Sequence, residues 1–413
     1  MKHVLLLLAL LLLFQCPARA EAPAGDEEIV LGMSAPFSGP SRALGIELYR
    51  GATAYFNHVN RNGGINGRTI RIQAYDDGYN PDPTVSNTIQ LIERDRVLLL
   101  FQYFGTPTVT RILPVLKRYS DQNFVLLFPF SGAELLRTPP YSDQVFNLRG
   151  SYGQETKGLV DNFVRAGRKR IAVFYQVDAY GRSGVVGVRQ ALHDHGLNIV
   201  AEATYRRGAG VSDSMERQVE ILARSRPDAI ITIGAYAACS AFIRDARLNG
   251  LDSIPIASLS FAGKERQAEL LAQESARQNK DLTQNLVFSH VFPFYGDQHL
   301  PAGREYHTVM TTSPVVLPAN FDLKDYAPRQ FSATSFEGFL NAKLLVHALR
   351  KVPPPITRTK VRDALESIKR FDLGINSNIE FGRDDHQGMD RIFYSTLKHG
   401  KIVPLNDWSV WAR

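Results

Sequence analysis

The sequence has 413 residues, a formal net charge of +7 at pH 7, 44% hydrophobic residues and two cysteines. Because a chain of this length exceeds one ordinary hydrophobic core, we expect two lobes. Two cysteines are too few for a disulfide-held fold. The positive charge is modest, and the basic run at residues 165–170 contains no aromatic residue, which argues against nucleic-acid binding.

The N-terminal segment predicts export. A short basic start precedes an apolar run over residues 4–14, and residues 18–20 read Ala-Arg-Ala. These are the parts of a secretory signal peptide, and the run is shorter than the roughly 20 residues of a spanning helix. We expect residues 1–20 to be a signal peptide cleaved near Ala20, giving a periplasmic protein without membrane insertion. The alternatives are an N-terminal anchoring helix or a lipid anchor at Cys16, where the preceding residue is Gln15 rather than a small one.

Strand and helix patterns then alternate in two successive blocks. The first block has strand patterns at 29–34, 69–75, 97–101 and 124–128, and helix patterns at 45–59, 84–93, 109–119 and 132–137. The second has strand patterns at 171–175, 199–205, 229–233 and 254–259, and helix patterns at 159–166, 183–195, 214–225 and 239–249. Alternation at this spacing predicts βαβ units, and therefore an α/β fold with a parallel-rich sheet in each of two Rossmann-like lobes.

The last third of the chain lacks enough strands for another sheet. An apolar strand at 288–293 is followed by a Pro-rich stretch, 301–329, which we interpret as a surface excursion. Helices at 335–350 and 360–368 must pack on an existing lobe, so the chain crosses between the lobes several times and forms a multi-crossing hinge. The predicted division is residues 27–148 plus 291–375 for lobe 1 and residues 149–290 plus 376–413 for lobe 2.

Polar residues follow two strands of the first block. Thr106 is predicted to cap a helix that Pro107 opens, and Ser131 with Glu134 forms a capping-box pattern around Gly132. Ligands of open α/β sheets bind at the carboxyl ends of strands, where helix N-termini attract anions. Two such helix starts would converge on a carboxylate, although each could also be a structural cap alone.

Two tyrosines follow strands of the second block. Tyr180 comes after the strand at 171–175, and Tyr236 comes after the strand at 229–233. We interpret both as aromatic residues at the edge of a cleft, with a lid over the core as the alternative for Tyr236. The glycines after Tyr180 have the spacing G-x-x-G-x-x-G, which is not the dinucleotide-binding pattern.

The sequence shows no enzyme signature. It has no nucleophile elbow and no phosphate-binding loop, and His193 and His195 would point to different faces of a helix. Cys239 lies among apolar helix residues and is predicted to fill the core. We therefore expect no enzymatic activity, no cofactor and no metal.

Six segments match one known family in chain order. They are residues 32–39 (GMSAPFSG), 60–68 (NRNGGINGR), 75–77 with Pro81, 173–181, 241–244 and 385–388. Together they resemble the leucine/isoleucine/valine-binding proteins of ABC importers over essentially the whole mature chain. The resemblance implies the type I periplasmic-binding-protein fold, whose two lobes close on a ligand and deliver it to an ABC permease. We also expect a monomer.

The resemblance also implies roles for particular residues. Thr106 and Ser131 would hold a ligand carboxylate on lobe 1, and Tyr180 and Tyr236 would close from lobe 2. The ligand-binding candidates are Phe37, Thr106, Phe130, Ser131, Gly132, Ser151, Tyr152, Tyr180, Tyr236 and Phe261.

Two departures from the family pattern affect the ligand. Leu44 stands where an aromatic residue is frequent, and the acidic partner for a ligand ammonium is missing from residues 258–261. The ligand is therefore predicted to be a small carboxylate, either an amino acid or an aromatic or branched organic acid. The predicted function is the periplasmic solute-binding component of an ABC importer, and the alternative is a periplasmic sensor feeding a membrane signalling protein. A hydrolase is disfavoured.

Overall fold

A computed structural model describes residues 28–412, in which α-helices and β-strands alternate. The helices are α1 (Arg42–Arg61), α2 (Pro81–Ile89), α3 (Thr106–Arg118), α4 (Tyr152–Arg165), α5 (Ala179–Asp194), α6 (Glu216–Ala223), α7 (Tyr236–Leu248), α8 (Lys264–Gln278), α9 (Pro301–Thr312), α10 (Ala333–Leu349) and α11 (Arg358–Glu366). The strands are β1 (Glu28–Ala35), β2 (Thr69–Asp76), β3 (Leu99–Phe101), β4 (Leu126–Leu127), β5 (Val145–Phe146), β6 (Ile171–Gln176), β7 (Ala201–Tyr205), β8 (Ala229–Ile233), β9 (Ile256–Ser258), β10 (Leu286–His290), β11 (Phe371–Asp372), β12 (Asn378–Ile379), β13 (Phe393–Lys398) and β14 (Lys401–Pro404).

Two sheets organise these elements. The first has the order β2-β1-β3-β4-β5, with every pair parallel. The second has the order β14-β13-β10-β9-β8-β6-β7, in which β13 pairs antiparallel with both β10 and β14 and the other neighbours pair parallel. The central strands β3 and β8 are buried along their whole length, as parallel strands covered by helices on both faces must be. The predicted α/β fold with two parallel-rich, Rossmann-like lobes is confirmed.

The chain passes between the two sheets after β5, after β10 and again before β13. At this hinge, Asn147 forms an isolated parallel bridge with Gln387. The Gln387 side-chain amide donates to the Arg149 carbonyl oxygen at 2.8 Å. Because backbone of separate chain segments is joined here, the hinge is a small ordered structure rather than loose linkers.

The predicted division into lobes stays a prediction, and one segment bears on its last boundary. Residues 376–381, which the division assigns to lobe 2, contain β12, which pairs with β11. Phe381 stacks on Phe128 with the ring centroids 6.3 Å apart, on the side of the first sheet. Because the second sheet resumes only at Phe393, these contacts argue for a boundary nearer that residue.

Two element predictions were wrong. Residues 132–137 form no α-helix, and only a 3-10 turn spans Glu134–Leu136. The stretch 301–329 is not wholly irregular, because its first part is α9. Pro301 occupies the first turn of α9, where a missing N–H costs nothing, and the apolar face carrying Tyr306 is buried.

None of the helices within residues 28–412 is long and apolar enough to cross a membrane. The predicted signal peptide, residues 1–20, lies outside the described residues.

Candidate functional site

Three buried hydroxyl groups meet where strands of the first sheet end. Thr106 opens α3 directly after β3, Ser131 follows β4, and Tyr152 opens α4. Thr106 Oγ1 lies 2.8 Å from Ser131 Oγ and 3.2 Å from the Tyr152 hydroxyl. We call these three residues the hydroxyl cluster. The sequence predicted each of them, and the structure brings them into hydrogen-bonding contact.

The helix geometry around the hydroxyl cluster differs from the prediction in two respects. The N-cap of α3 is Gly105, not Thr106, and no side chain caps this helix. Gly105 has φ +90°, and a Cβ there would come 2.2 Å from the Tyr79 ring. No helix starts at Ser131, so its hydroxyl is available to Thr106. The predicted helix start at Ser131 is therefore wrong, and the helices that begin beside the hydroxyl cluster are α3 and α4.

Ser151 and Gly132 position Tyr152. Ser151 Oγ accepts from the Gln154 backbone N–H at 3.2 Å, and Gln154 Oε1 accepts from the Ser151 N–H at 2.7 Å, which makes a capping box. The Gly132 carbonyl oxygen accepts from the Tyr152 N–H at 2.7 Å. A Cβ on Gly132 would come 2.7 Å from the Tyr152 ring. Gly132 therefore gives room to a tyrosine, where the sequence suggested room for a ligand.

Aromatic rings from both sheets meet beside the hydroxyl cluster. We call Tyr79, Phe104, Phe130, Tyr180 and Phe261 the aromatic cluster. The centroid of the Phe261 ring lies 4.4 Å from that of Tyr180, 5.0 Å from Phe104 and 5.4 Å from Phe130. Phe104 and Phe130 come from the first lobe, and Phe261 and Tyr180 come from the second. The two lobes are therefore in contact through rings, which is a closed arrangement.

Tyr180 has a hydroxyl group without a hydrogen-bond partner among residues 28–412. The side chain is fully buried, and this burial raises its pKa well above the ordinary value. Its ring centroid lies 5.0 Å from that of Tyr152. Since a buried unpaired hydroxyl costs free energy, this group is suited to bind a polar atom of a ligand.

Tyr236 and Phe37 lie outside the two clusters. Tyr236 opens α7, and its hydroxyl accepts from the Ala43 N–H on α1 at 3.4 Å, so it joins the lobes at the cleft edge as predicted. Phe37 is buried and stacks on Phe321 with the ring centroids 3.8 Å apart. Phe321 lies in the segment after α9. Phe37 forms no hydrogen bond or ring contact with the hydroxyl cluster among the described residues.

A buried group of charges lies between the lobes near the hinge. Arg149, fully buried, has Glu337 at 3.7 Å and Glu155 at 4.0 Å. Glu155 accepts from the N–H and hydroxyl of Ser260 at 2.8 Å each and from the Ser289 hydroxyl at 2.5 Å. A carboxylate thus does reach the segment 258–261, but protein donors already occupy it. Burial raises the pKa of the Glu337 carboxyl to about 7, against the lowering effect of Arg149.

Sequence reasoning missed this charged group and part of the aromatic cluster. Glu337 had a usable signal, because it is a charged residue within a helix that is apolar on nearly every face. Phe104 also had one, since it follows a strand of the first block. No sequence pattern marked Arg149 or Glu155 as a site residue, because their partners are distant in the sequence and meet them only in the folded chain.

No group of three His, Cys, Asp or Glu side chains within residues 28–412 is placed to hold a metal ion. Cys239 is buried and unpaired as a disulfide, and burial raises the pKa of its thiol to about 12. This environment agrees with the predicted role of Cys239 as a core residue.

Two α/β lobes in contact over a buried polar and aromatic site define the architecture of a two-lobed binding protein. A family model described as "Periplasmic binding protein" matches residues 28–401. The chain belongs to this family, and the predicted resemblance is confirmed. Members are periplasmic solute-binding proteins, which agrees with the expectation that the chain is not an enzyme.

Two individual relatives share only a quarter of their residues with this chain, over less than half of its length. The chain is 24% identical to a protein of Pseudomonas aeruginosa named "Amino acid binding protein" over 182 residues, which are 44% of this chain and 48% of the relative. It is 26% identical to "Leu/Ile/Val-binding protein homolog 3" of Brucella melitensis over 181 residues, which are 43% and 48% of the two chains. The chain therefore spans about half the length of the curated relatives it matches.

A solved structure covers much more of the chain. A possible leucine/isoleucine/valine-binding protein from Rhodopirellula baltica superposes with a TM-score of 0.82 at 28% identity, covering 94% of this chain and 98% of that one. The two-lobed architecture is thus shared over nearly the full length of both chains.

Proposed function

We propose that this chain is the solute-binding component of an ABC importer and captures a small carboxylate-bearing ligand between its lobes. The observation that carries the proposal is the hydroxyl cluster of Thr106, Ser131 and Tyr152, buried at the strand ends. Hydroxyl donors beside the start of α3 suit an anion, because the helix N-terminus adds unpaired N–H groups and a favourable dipole.

The rings of Phe130, Tyr180 and Phe261 suggest that the rest of the ligand is apolar. Closure then follows from a shift in population, since a ligand that contacts both lobes favours the closed state. An amino-acid ligand has less support, because Ser260 and Ser289 already donate three hydrogen bonds to Glu155, the carboxylate that could otherwise bind the ligand ammonium. We therefore favour an aromatic or branched organic acid over an unmodified amino acid.

A thermal-shift screen of the mature protein tests the proposal. The screen compares leucine, valine, isovalerate, benzoate and phenylacetate with the neutral amides of the three acids. We expect one or more of the acids to raise the melting temperature and the corresponding amide to have no effect. Equal shifts with an acid and its amide would contradict carboxylate recognition.

A double variant locates the carboxylate site. Thr106→Ala combined with Ser131→Ala removes two of the three hydroxyls while leaving the backbone of α3 intact. We expect this variant to fold and to lose the ligand-induced shift. An undiminished shift in a folded double variant would place the carboxylate elsewhere.

A further inference from the structure

A cavity between the lobes lies next to the hydroxyl and aromatic clusters. A cavity of about 30 Å³ lies beside the chain crossing at 291–293. Phe130 and Glu337 line it from the first lobe, and Lys264 and His290 line it from the second. Because Phe130 also belongs to the aromatic cluster, the cavity adjoins the proposed ligand site.

Lys264 is a buried cation whose ammonium contacts a histidine rather than a carboxylate. Its side chain lies in the cavity wall with 5% of its surface exposed, and no carboxylate of residues 28–412 lies within ion-pair distance of its ammonium. Its Nζ donates to His290 Nδ1 at 2.5 Å, and His290 Nε2 donates to the Ser395 hydroxyl at 2.6 Å. Burial first, and Lys264 second, lower the pKa of His290 well below its ordinary value, so the imidazole is neutral and adds no charge beside the ammonium.

The location of Lys264 adds to this imbalance. It is the first residue of α8, where the helix dipole disfavours a cation and favours an anion. Burial lowers the pKa of its ammonium to about 8, although the charge of Glu265 acts to raise it. The ammonium is therefore largely protonated at neutral pH. Burying a cation that forms no salt bridge is unfavourable, and an entering anion would reduce that cost.

The carboxylate that lines the cavity does not form a salt bridge with Lys264. Glu337 faces the cavity, but it is paired with Arg149 at 3.7 Å. Arg149 keeps its Nε and Nη1 without hydrogen-bond partners among the described residues. Glu155 also lies 4.0 Å from Arg149, so carboxylates surround Arg149, and Lys264 is the cation of the described cavity wall that forms no salt bridge.

We propose that the cavity is a second anion subsite, in which a ligand already held by one carboxylate at the hydroxyl cluster places a second carboxylate against Lys264. The inference rests on the proposed function and names its substrate class. The ligand is a dicarboxylate whose apolar middle lies along Phe130.

Calorimetric titration of the mature protein with matched acids tests this inference. The probes are the straight-chain monocarboxylates from butyrate to octanoate and the dicarboxylates of the same lengths, from succinate to suberate. We expect one dicarboxylate to bind at least about tenfold more tightly than the monocarboxylate of its length, as one charge-assisted contact permits. Equal affinities across the series, or a preference for monocarboxylates, would overturn the second subsite.

Variants separate this inference from the proposed function. Lys264→Met keeps the length of the side chain and removes its charge, and we expect it to erase the advantage of the dicarboxylate while monocarboxylates still bind. Lys343→Met is the matched control, because Lys343 lies on α10 and pairs with Glu305 at 2.6 Å. A retained preference in Lys264→Met contradicts the second subsite alone, whereas absence of binding by every carboxylate to the unaltered protein contradicts both proposals.

Discussion

The unpaired hydroxyl of Tyr180 is a residue-scale feature with opposite consequences for folding and for binding. Tyr180→Phe removes a buried donor that has no partner among the described residues, so we expect the ligand-free protein to keep or slightly gain stability. If the hydroxyl donates to the ligand carboxylate, affinity falls by about tenfold. Thermal unfolding and titration with the ligand from the screen measure the two effects.

Tyr103 provides the control for this change. Its buried hydroxyl lies 3.1 Å from Thr88 Oγ1, which also donates to the Thr84 carbonyl oxygen at 2.7 Å, so Tyr103→Phe removes one buried hydrogen bond. We expect Tyr103→Phe to cost about 1 kcal/mol of stability without weakening ligand binding. Loss of stability in Tyr180→Phe comparable to that in Tyr103→Phe would contradict the role given to Tyr180.

Glu337 makes stability depend on pH. Its pKa in the folded protein is about 7, above the usual 4.5, so between these values the folded state holds a proton that the unfolded state has lost. Stability therefore falls as pH rises from about 5 to about 8, by at most of order 3 kcal/mol from this group. Glu337→Gln should flatten that dependence, as measured by urea unfolding at several pH values.

Asp77 also makes the stability of the protein fall as the pH rises. Burial raises the pKa of its carboxyl to about 7, despite hydrogen bonds from Ser34, Tyr79 and Thr84 that lower it. Glu337→Gln should consequently reduce the pH dependence of stability without abolishing it. Asp77→Asn should remove the contribution of Asp77 to that dependence. A slope unchanged by Glu337→Gln would show that this carboxyl does not titrate in the window.

The sequence predicted the site residues unevenly. The sequence sufficed to predict Thr106, Ser131 and Tyr180, because each follows a strand and the carboxyl ends of parallel strands share one edge of a sheet. Lys264 and His290 were not, since they lie 26 residues apart and meet only through the order of strands in the second sheet. Strand order is a tertiary property that local patterns do not carry.

At the scale of elements, the start of α4 supports the hydroxyl cluster. Ser151→Ala removes the bond that Ser151 Oγ accepts from the Gln154 N–H and keeps the one that the backbone N–H of residue 151 donates to Gln154 Oε1. We expect a loss of about 1 kcal/mol in stability. Because Tyr152 is the first residue of α4, ligand affinity should fall as well. Urea unfolding and titration measure both, and Ser151→Asp, which retains a capping oxygen, should keep most of each. Full stability in Ser151→Ala would contradict the importance of the box.

The alternation of strands and helices was predictable because apolar periodicity reports burial directly. The failures at 132–137 and 301–312 have separate physical causes. At 132–137 a capping pattern was present, but Gly132 and Ser131 are engaged by Tyr152 and Thr106 instead of a helix. At 301–312 the proline that suggested a loop opens α9.

At the scale of the whole molecule, Phe261 joins the lobes. Its ring touches residues of the first lobe and Tyr180 of the second. Phe261→Ala removes contacts that exist only when the lobes are together, so the ligand-free ensemble should shift toward open states. Small-angle X-ray scattering should show a larger radius of gyration than for the unaltered protein, and ligand affinity should fall.

Phe242→Ala is the matched control for closure. Phe242 stacks on Phe174 within the second lobe, with the ring centroids 4.2 Å apart. This truncation should cost about 3–5 kcal/mol of stability without changing the radius of gyration of the folded protein. An equal radius for Phe261→Ala and Phe242→Ala would argue against Phe261 as the contact that holds the lobes closed.

The burial of Cys239 has a practical consequence for watching the lobes move. A thiol that is sealed in the core and protonated at neutral pH escapes alkylating dyes, because the thiolate is the reactive form. Val177, 51% exposed, lies between β6 and α5 at the edge where the strands end. A Val177→Cys variant of the folded mature chain would accept a single fluorophore there, and its emission would report ligand capture in real time.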